Sequence, residues 1–211
     1  MAGRNSADSA LFGLARSIAD GESAAALRML AAQPDLARAT FAAGATRQDS
    51  HSYFLDAIGH TIYAGDTALH VAAAAYATSI ARKLIADGAD VGARNRRSAE
   101  PLHLASMGTP GGSRWNPKAQ VATIACLIEA GADPNALDNG GVAPLHRAVR
   151  TRCAAAVEAL IKGGANAKLK NRSGSTPMML AKMASGRGGS GSVEAKAQQQ
   201  EIVRLLQNYK S

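Results

Sequence analysis

Thr67-Ala68-Leu69-His70, Glu100-Pro101-Leu102-His103, Ala143-Pro144-Leu145-His146 and Thr176-Pro177-Met178-Met179 are four versions of one tetrapeptide. Their last residues are 33, 43 and 33 positions apart. A paired aliphatic follows each: Leu84-Ile85, Leu127-Ile128, Leu160-Ile161 and Leu205-Leu206, at separations of 14, 24, 14 and 26. One unit of 33 residues accounts for this spacing if one copy carries ten extra residues and the last carries twelve.

The unit reads as a short helix, a turn, a second helix and an extended loop. Gly88-Ala89-Asp90, Gly131-Ala132-Asp133 and Gly164-Ala165-Asn166 each close an apolar helical run, where glycine can take the left-handed conformation that ends a helix. Pro101, Pro144 and Pro177 suit a first helical turn, where a missing N–H costs nothing. Thr67 and Thr176 stand just ahead of such turns as caps. One helix pair cannot bury its own apolar face, so neighbouring pairs must stack. The alanines Ala72-Ala73, Ala105 and Ala148, just past each histidine, allow that close approach.

These starts, aliphatic pairs and Gly-Ala-Asp/Asn ends resemble ankyrin repeats, and the resemblance is strongest over residues 64–172. The fold expected is an all-α solenoid of helix–turn–helix units with extended, hairpin-like connecting loops, as a single domain. Its units are a degenerate cap repeat at 5–39, an insertion at 40–63, a repeat at 64–96, a repeat with a loop insertion at 97–139, a repeat at 140–172 and an interrupted cap repeat at 173–211. The resemblance implies binding of other proteins through the loops and the concave helical face. Glu100 and Ala143 depart from the usual threonine, and Met179 from the usual histidine.

The insertions carry most of the individuality. Residues 40–63 contain Phe41, Tyr53, Phe54 and Tyr63, four of the eight aromatics. The spacing of Tyr53, Phe54, Leu55, Ile58 and Ile62 predicts a short helix that folds back over the repeats or meets a partner. Residues 108–117 form an irregular loop in the turn of one repeat and hold the single tryptophan, Trp115. Trp115 either anchors the loop on its own scaffold or is a contact residue. Ser185–Ser192 lacks phosphate-loop spacing and reads as a flexible Gly/Ser connection to a helix over Val193–Tyr209.

Composition narrows the function. Aromatics are only 4% of the 211 residues, which suits close helix stacking and suits a wide cofactor cavity poorly. Cys126 and Cys153 are too few for a disulfide framework and read as reduced structural thiols in a cytoplasmic protein. Met1–Ser9 is polar and is not followed by a run of signal-peptide shape, and an uncharged stretch long enough for a membrane span is absent from the sequence. His70, His103 and His146 occupy one site of successive repeats, so a structural purpose is expected rather than convergence on a reacting centre. His51 and His60, near Asp49 and Asp56, have no recognised zinc spacing. An enzyme is not expected, and neither cofactor nor metal is required.

The net charge of +8 is concentrated late in the chain: residues 140–172 carry seven basic and one acidic side chain. The expected ligand is a protein with an acidic or mixed-charge surface. Nucleic acid bound by the basic C-terminal half is the second reading, weakened because Trp115 and most other aromatics lie outside the strongly basic segment 140–172. Self-assembly is a third. Candidate contacts are Arg94, Arg96 and Arg97 in one connecting loop, Lys168, Lys170 and Arg172 in a later one, Arg147 and Arg150 on one side of a helix, and Trp115. Asp133 and Asp138 make the intervening loop acidic, so a basic–acidic–basic pattern is expected. Leu145 and Val149 should face the core.

Overall fold

The repeat tetrapeptides start helices because each supplies what a helix N-terminus lacks. The computed structural model describes residues 6–183 and 193–209, so the Ser185–Ser192 connection lies outside the described residues. Helices run over Ser6–Ala19 (α1), Ser23–Ala32 (α2), Ala68–Ala74 (α3), Thr78–Ala86 (α4), Pro101–Ala105 (α5), Pro117–Glu129 (α6), Pro144–Arg150 (α7), Ala154–Lys162 (α8), Pro177–Lys182 (α9) and Val193–Gln207 (α10). Thr67 and Thr176 cap α3 and α9, their hydroxyls accepting from the amides of His70 and Met179. Such a cap stabilises a helix by about 1 kcal/mol. Pro101, Pro144 and Pro177 open α5, α7 and α9, and Gly88, Gly131 and Gly164 sit at φ +91, +98 and +94 just beyond α4, α6 and α8. The architecture is an all-α repeat solenoid of helix–turn–helix pairs.

The chain divides into two compact units, Met1–Pro101 and Leu102–Ser211. In the first, α1 packs on α2 and α3, and α4 on α2 and α3. Leu11, Leu14, Leu30, Leu69, Ile80 and Leu84 are fully buried there. In the second, α8 packs against α6, α7 and α10, and α9 against α7 and α10. Leu102, Ile124, Leu127, Leu145 and Leu160 fill its core. Leu145 and Val149 face inward as expected, and both cysteines are buried and free. Burial pushes the Cys153 thiol above its ordinary range, which keeps it protonated and unreactive.

The inserted segment corrects the helix expected within 40–63. A short 3₁₀ turn covers His51–Tyr53, and the rest pairs with itself. Strands Phe54–Leu55 (β1) and His60–Thr61 (β2) form an antiparallel pair. Below it, Phe41 donates to Asp66 O (2.8 Å), Gly65 to Phe41 O (2.8 Å) and Ala45 to Ile62 O (2.9 Å). The segment is therefore a lengthened two-sided finger. The apolar positions that imitate a helical period alternate across an extended pair instead: Leu55 and Ile62 are buried while Phe54 is exposed. The finger does fold back, since Phe12 of α1 meets Phe41 and Tyr53 edge-on at 6.1 and 6.3 Å.

The enlarged turns have their own device. In the regular repeats the carbonyl two residues past the histidine accepts a backbone amide, Ala77 to Ala72 O at 2.9 Å and Cys153 to Ala148 O at 3.0 Å. Tyr76 and Arg152 make these turns with left-handed φ of 53 and 58. In the two lengthened repeats a glutamine of the second helix takes over. Gln120 Nε2 donates to Ala105 O (2.9 Å) and Met107 O (3.0 Å), and Gln199 Nε2 to Ala181 O (2.7 Å) and Met183 O (3.5 Å). The same helix-end carbonyl is satisfied in every repeat, as a buried acceptor requires.

Candidate partner-binding surface

The three repeat histidines are fully buried and are committed to the scaffold. His70 Nδ1 accepts the Thr67 amide (3.1 Å) and His146 Nδ1 the Ala143 amide (3.2 Å). The opposite nitrogen reaches a loop carbonyl: His70 Nε2 to Ala99 O at 3.0 Å, His103 Nε2 to Val142 O at 3.0 Å, and His146 Nε2 to Leu169 O at 3.0 Å and Ser175 O at 3.2 Å. For His70 and His146 this pattern fixes the proton on Nε2, with a lone pair on Nδ1. Burial lowers all three pKa values, His103 to about 4. Each ring bridges its helix start to the following loop, which makes histidine the tetrapeptide's fourth residue wherever a described loop follows.

Loop carboxylates and amides are equally committed. Asn95, Asp138 and Asn171 hold the same place in successive loops, and each Oδ1 accepts the amides two and four residues on. Asp90, Asp133 and Asn166 accept the amide two residues on. Asp133 and Asp138, which make one loop acidic in composition, are thus turn acceptors. None of this was singled out from sequence, although the offsets repeat with the tetrapeptide. Asp66 was also missed: it is fully buried, accepts from Asn95 Nδ2 (2.8 Å) and the Tyr63 amide (2.7 Å), and lies 3.6 Å from His60 Nε2 and 3.7 Å from His70 Nε2. Burial alone raises its carboxyl, but His60 and His70 outweigh that and the net direction is down.

With the scaffold residues subtracted, the candidate contacts fall into two groups. In the first unit Arg94 pairs with Glu100 at 3.0 Å, Glu100 standing where threonine is usual. Arg96 and Arg97 are exposed and lie over the Tyr63 ring at 4.8 and 4.1 Å, so the finger orders that loop by cation–π contact. In the second unit Arg147 is half-buried and joined to Asp138 at 2.8 Å. Arg150, Lys168, Lys170 and Arg172 are exposed. Trp115 is half-buried and its indole Nε1 is buried with no hydrogen-bond partner, so more of it packs than projects.

Comparison with known families rests on this same pattern. A family model described as "Ankyrin repeat" matches residues 64–96, and one described as "Ankyrin repeats (many copies)" matches residues 127–181. The chain contains ankyrin repeats over these residues. Mouse "Ankyrin repeat and SOCS box protein 16" is 37% identical over 114 residues, 53% of this chain and 24% of the relative. Zebrafish "Neurogenic locus notch homolog protein 1" is 36% identical over 117 residues, 55% of this chain and 4% of the relative. Its human counterpart is 29% identical over 141 residues, covering 56% of this chain and 6% of the relative. The chain spans about a quarter or less of the length of these relatives. Ankyrin-repeat folds typically mediate protein–protein interaction. No helix among the described residues is long and apolar enough to cross a membrane, and no group of three or more His, Cys, Asp or Glu among them could hold a metal ion.

Proposed function

We propose that this ankyrin chain is a non-catalytic, cytoplasmic module that holds another protein, presenting acidic or mixed charge, on the loops and inner helix faces of its second unit. One observation carries the reading. The repeat histidines and loop carboxylates are used up internally, whereas Arg150, Lys170 and Arg172 stay exposed within a segment of net charge +6. Groups a scaffold does not need, gathered with one sign, are what steers an oppositely charged partner. Arg147 is excluded from that set, because its ion pair with Asp138 holds a turn together.

The same +6 segment favours nucleic acid as a second reading. Cross-linked capture by the full chain, with and without prior nuclease digestion, separates the two. The expected result is one set of protein partners retained after digestion and lost when Arg150→Glu and Arg172→Glu are combined. Partners that vanish on nuclease treatment overturn the protein reading. Partners retained equally by the charge-reversed chain overturn this surface.

A further inference from the structure

We infer that a cleft in the second unit is a peptide-docking site for an acidic segment that also carries an aliphatic side chain. The inference rests on the protein-binding reading and names its ligand chemistry. The cleft measures about 390 Å³, within the usual span of recognition pockets. Val149, Leu180, Ala181, Met183 and Ile202 supply an apolar lining. Val149, Ala181 and Ile202 are themselves buried, while Met183 is half-exposed at 52%, so the floor is formed and the mouth is open.

The polar part of the lining is one-sided. Arg150 and Arg152 face the cleft together with Asn171, Ser173, Ser175 and Gln199, and no Asp or Glu among the described residues lines it. Arg150 is exposed and free to swing onto a ligand, whereas Arg152 is only 3% exposed and held in the left-handed turn after α7. A movable cation at the rim, with the buried charge of Arg152 behind it and apolar side chains beside it, matches a carboxylate placed next to an aliphatic group. Carboxylates favour guanidinium forks. A purely apolar ligand would strip water from Arg150 without replacing it. A long polyanion would leave the apolar lining uncovered.

The probe is a fluorescein-labelled acetyl peptide, Glu-Asp-Leu-Glu, read by anisotropy against the full chain, with an Ala-for-Leu peptide and a short single-stranded RNA as competitors. Arg150→Glu and Met183→Lys change exposed positions, and far-UV circular dichroism checks that both variants keep their helices. Each should weaken the Leu peptide about tenfold or more, and the Ala peptide should compete about tenfold less well. Arg172→Glu, at a basic position that does not line the cleft, should weaken it less than about threefold, since a charge outside the contact acts through screened solvent. Equal losses from Arg172→Glu and Arg150→Glu overturn the cleft and leave the basic surface standing. Unchanged binding in both Arg150→Glu and Met183→Lys overturns the cleft as well. Wild-type protein that ignores the peptide overturns it too, while the capture experiment separately decides the protein-binding reading. RNA that displaces the peptide at lower concentration assigns the site to nucleic acid instead.

Discussion

Acidification from about pH 7.5 to about pH 4.5 will lower the melting temperature by on the order of 10 °C, with most of the loss below about pH 6.5. The cause is the set of buried histidines. Their folded pKa values lie below the ordinary value of 6.5, and His103 lies at about 4. Above 6.5 both folded and unfolded chains hold neutral imidazoles, and the full stability is present. Below it the unfolded chain takes up protons that the folded chain refuses, so stability falls until the pH reaches the folded pKa. For His103 the gap is worth roughly 3 kcal/mol, and His70 and His146 act in the same direction. Asp66 and Asp138 have carboxyls held below the ordinary value of 3.8, so their loss comes in a separate, more acid window. Far-UV circular dichroism melts over this range check the result. A His103→Gln chain should show a shallower slope, because glutamine can donate to Val142 O but takes up no proton. A melting temperature flat from pH 7.5 to pH 5 would mean that the rings are not held neutral.

Gly44→Ala will destabilise the first unit by at least about 2 kcal/mol and loosen the lengthened finger. A Cβ built on Gly44 lies 2.3 Å from the Ala64 amide nitrogen and 2.4 Å from the Tyr63 carbonyl carbon. Both are backbone atoms of the opposing side of the finger, so no flexible side chain can yield. Relief requires separating the two sides, which strains the Ala45 to Ile62 bond and moves Tyr63 from beneath Arg96 and Arg97. Urea unfolding reads the global cost, and hydrogen exchange at Ala45 reads the local opening. Wild-type values in both would show that the finger is not closed as described.

The contrast between finger and repeats shows what a single sequence conveys. The repeat helices were legible because four copies vary around one pattern, and a feature present at the same offset in several copies has a common physical reason. Pro144 at a helix start and Gly164 past a helix end are read correctly for that reason. The finger has no second copy. Tyr53, Phe54, Leu55, Ile58 and Ile62 fit a helical period well enough to mislead, and only the pairing of residues 40–45 with 62–67 decides for extended structure. No local propensity encodes such a pairing.

The surface was legible in composition and not in detail. Exposed Lys168, Lys170 and Arg172 follow from charge excess and loop position, and Arg150 from charge excess at a helix end. Arg147 shares their sequence signature and differs only because Asp138, nine residues earlier, lies 2.8 Å away in the fold. The roles of Gln120 and Gln199 were hidden for a related reason. Each answers a carbonyl freed by an enlarged turn, and the need becomes visible only when backbone acceptors are counted in three dimensions.

Steering of a protein partner by the exposed arginines of the second unit is the proposed function, while the repeat histidines only build the scaffold. Its most direct test is the association rate of the captured partner with wild-type chain and with Arg150→Glu/Arg172→Glu, from about 30 to about 500 mM salt. The expected result is about tenfold slower association for the variant at low salt, convergence of the two rates at high salt, and unchanged helicity and melting. Equal rates at low salt, with both proteins folded, would contradict it.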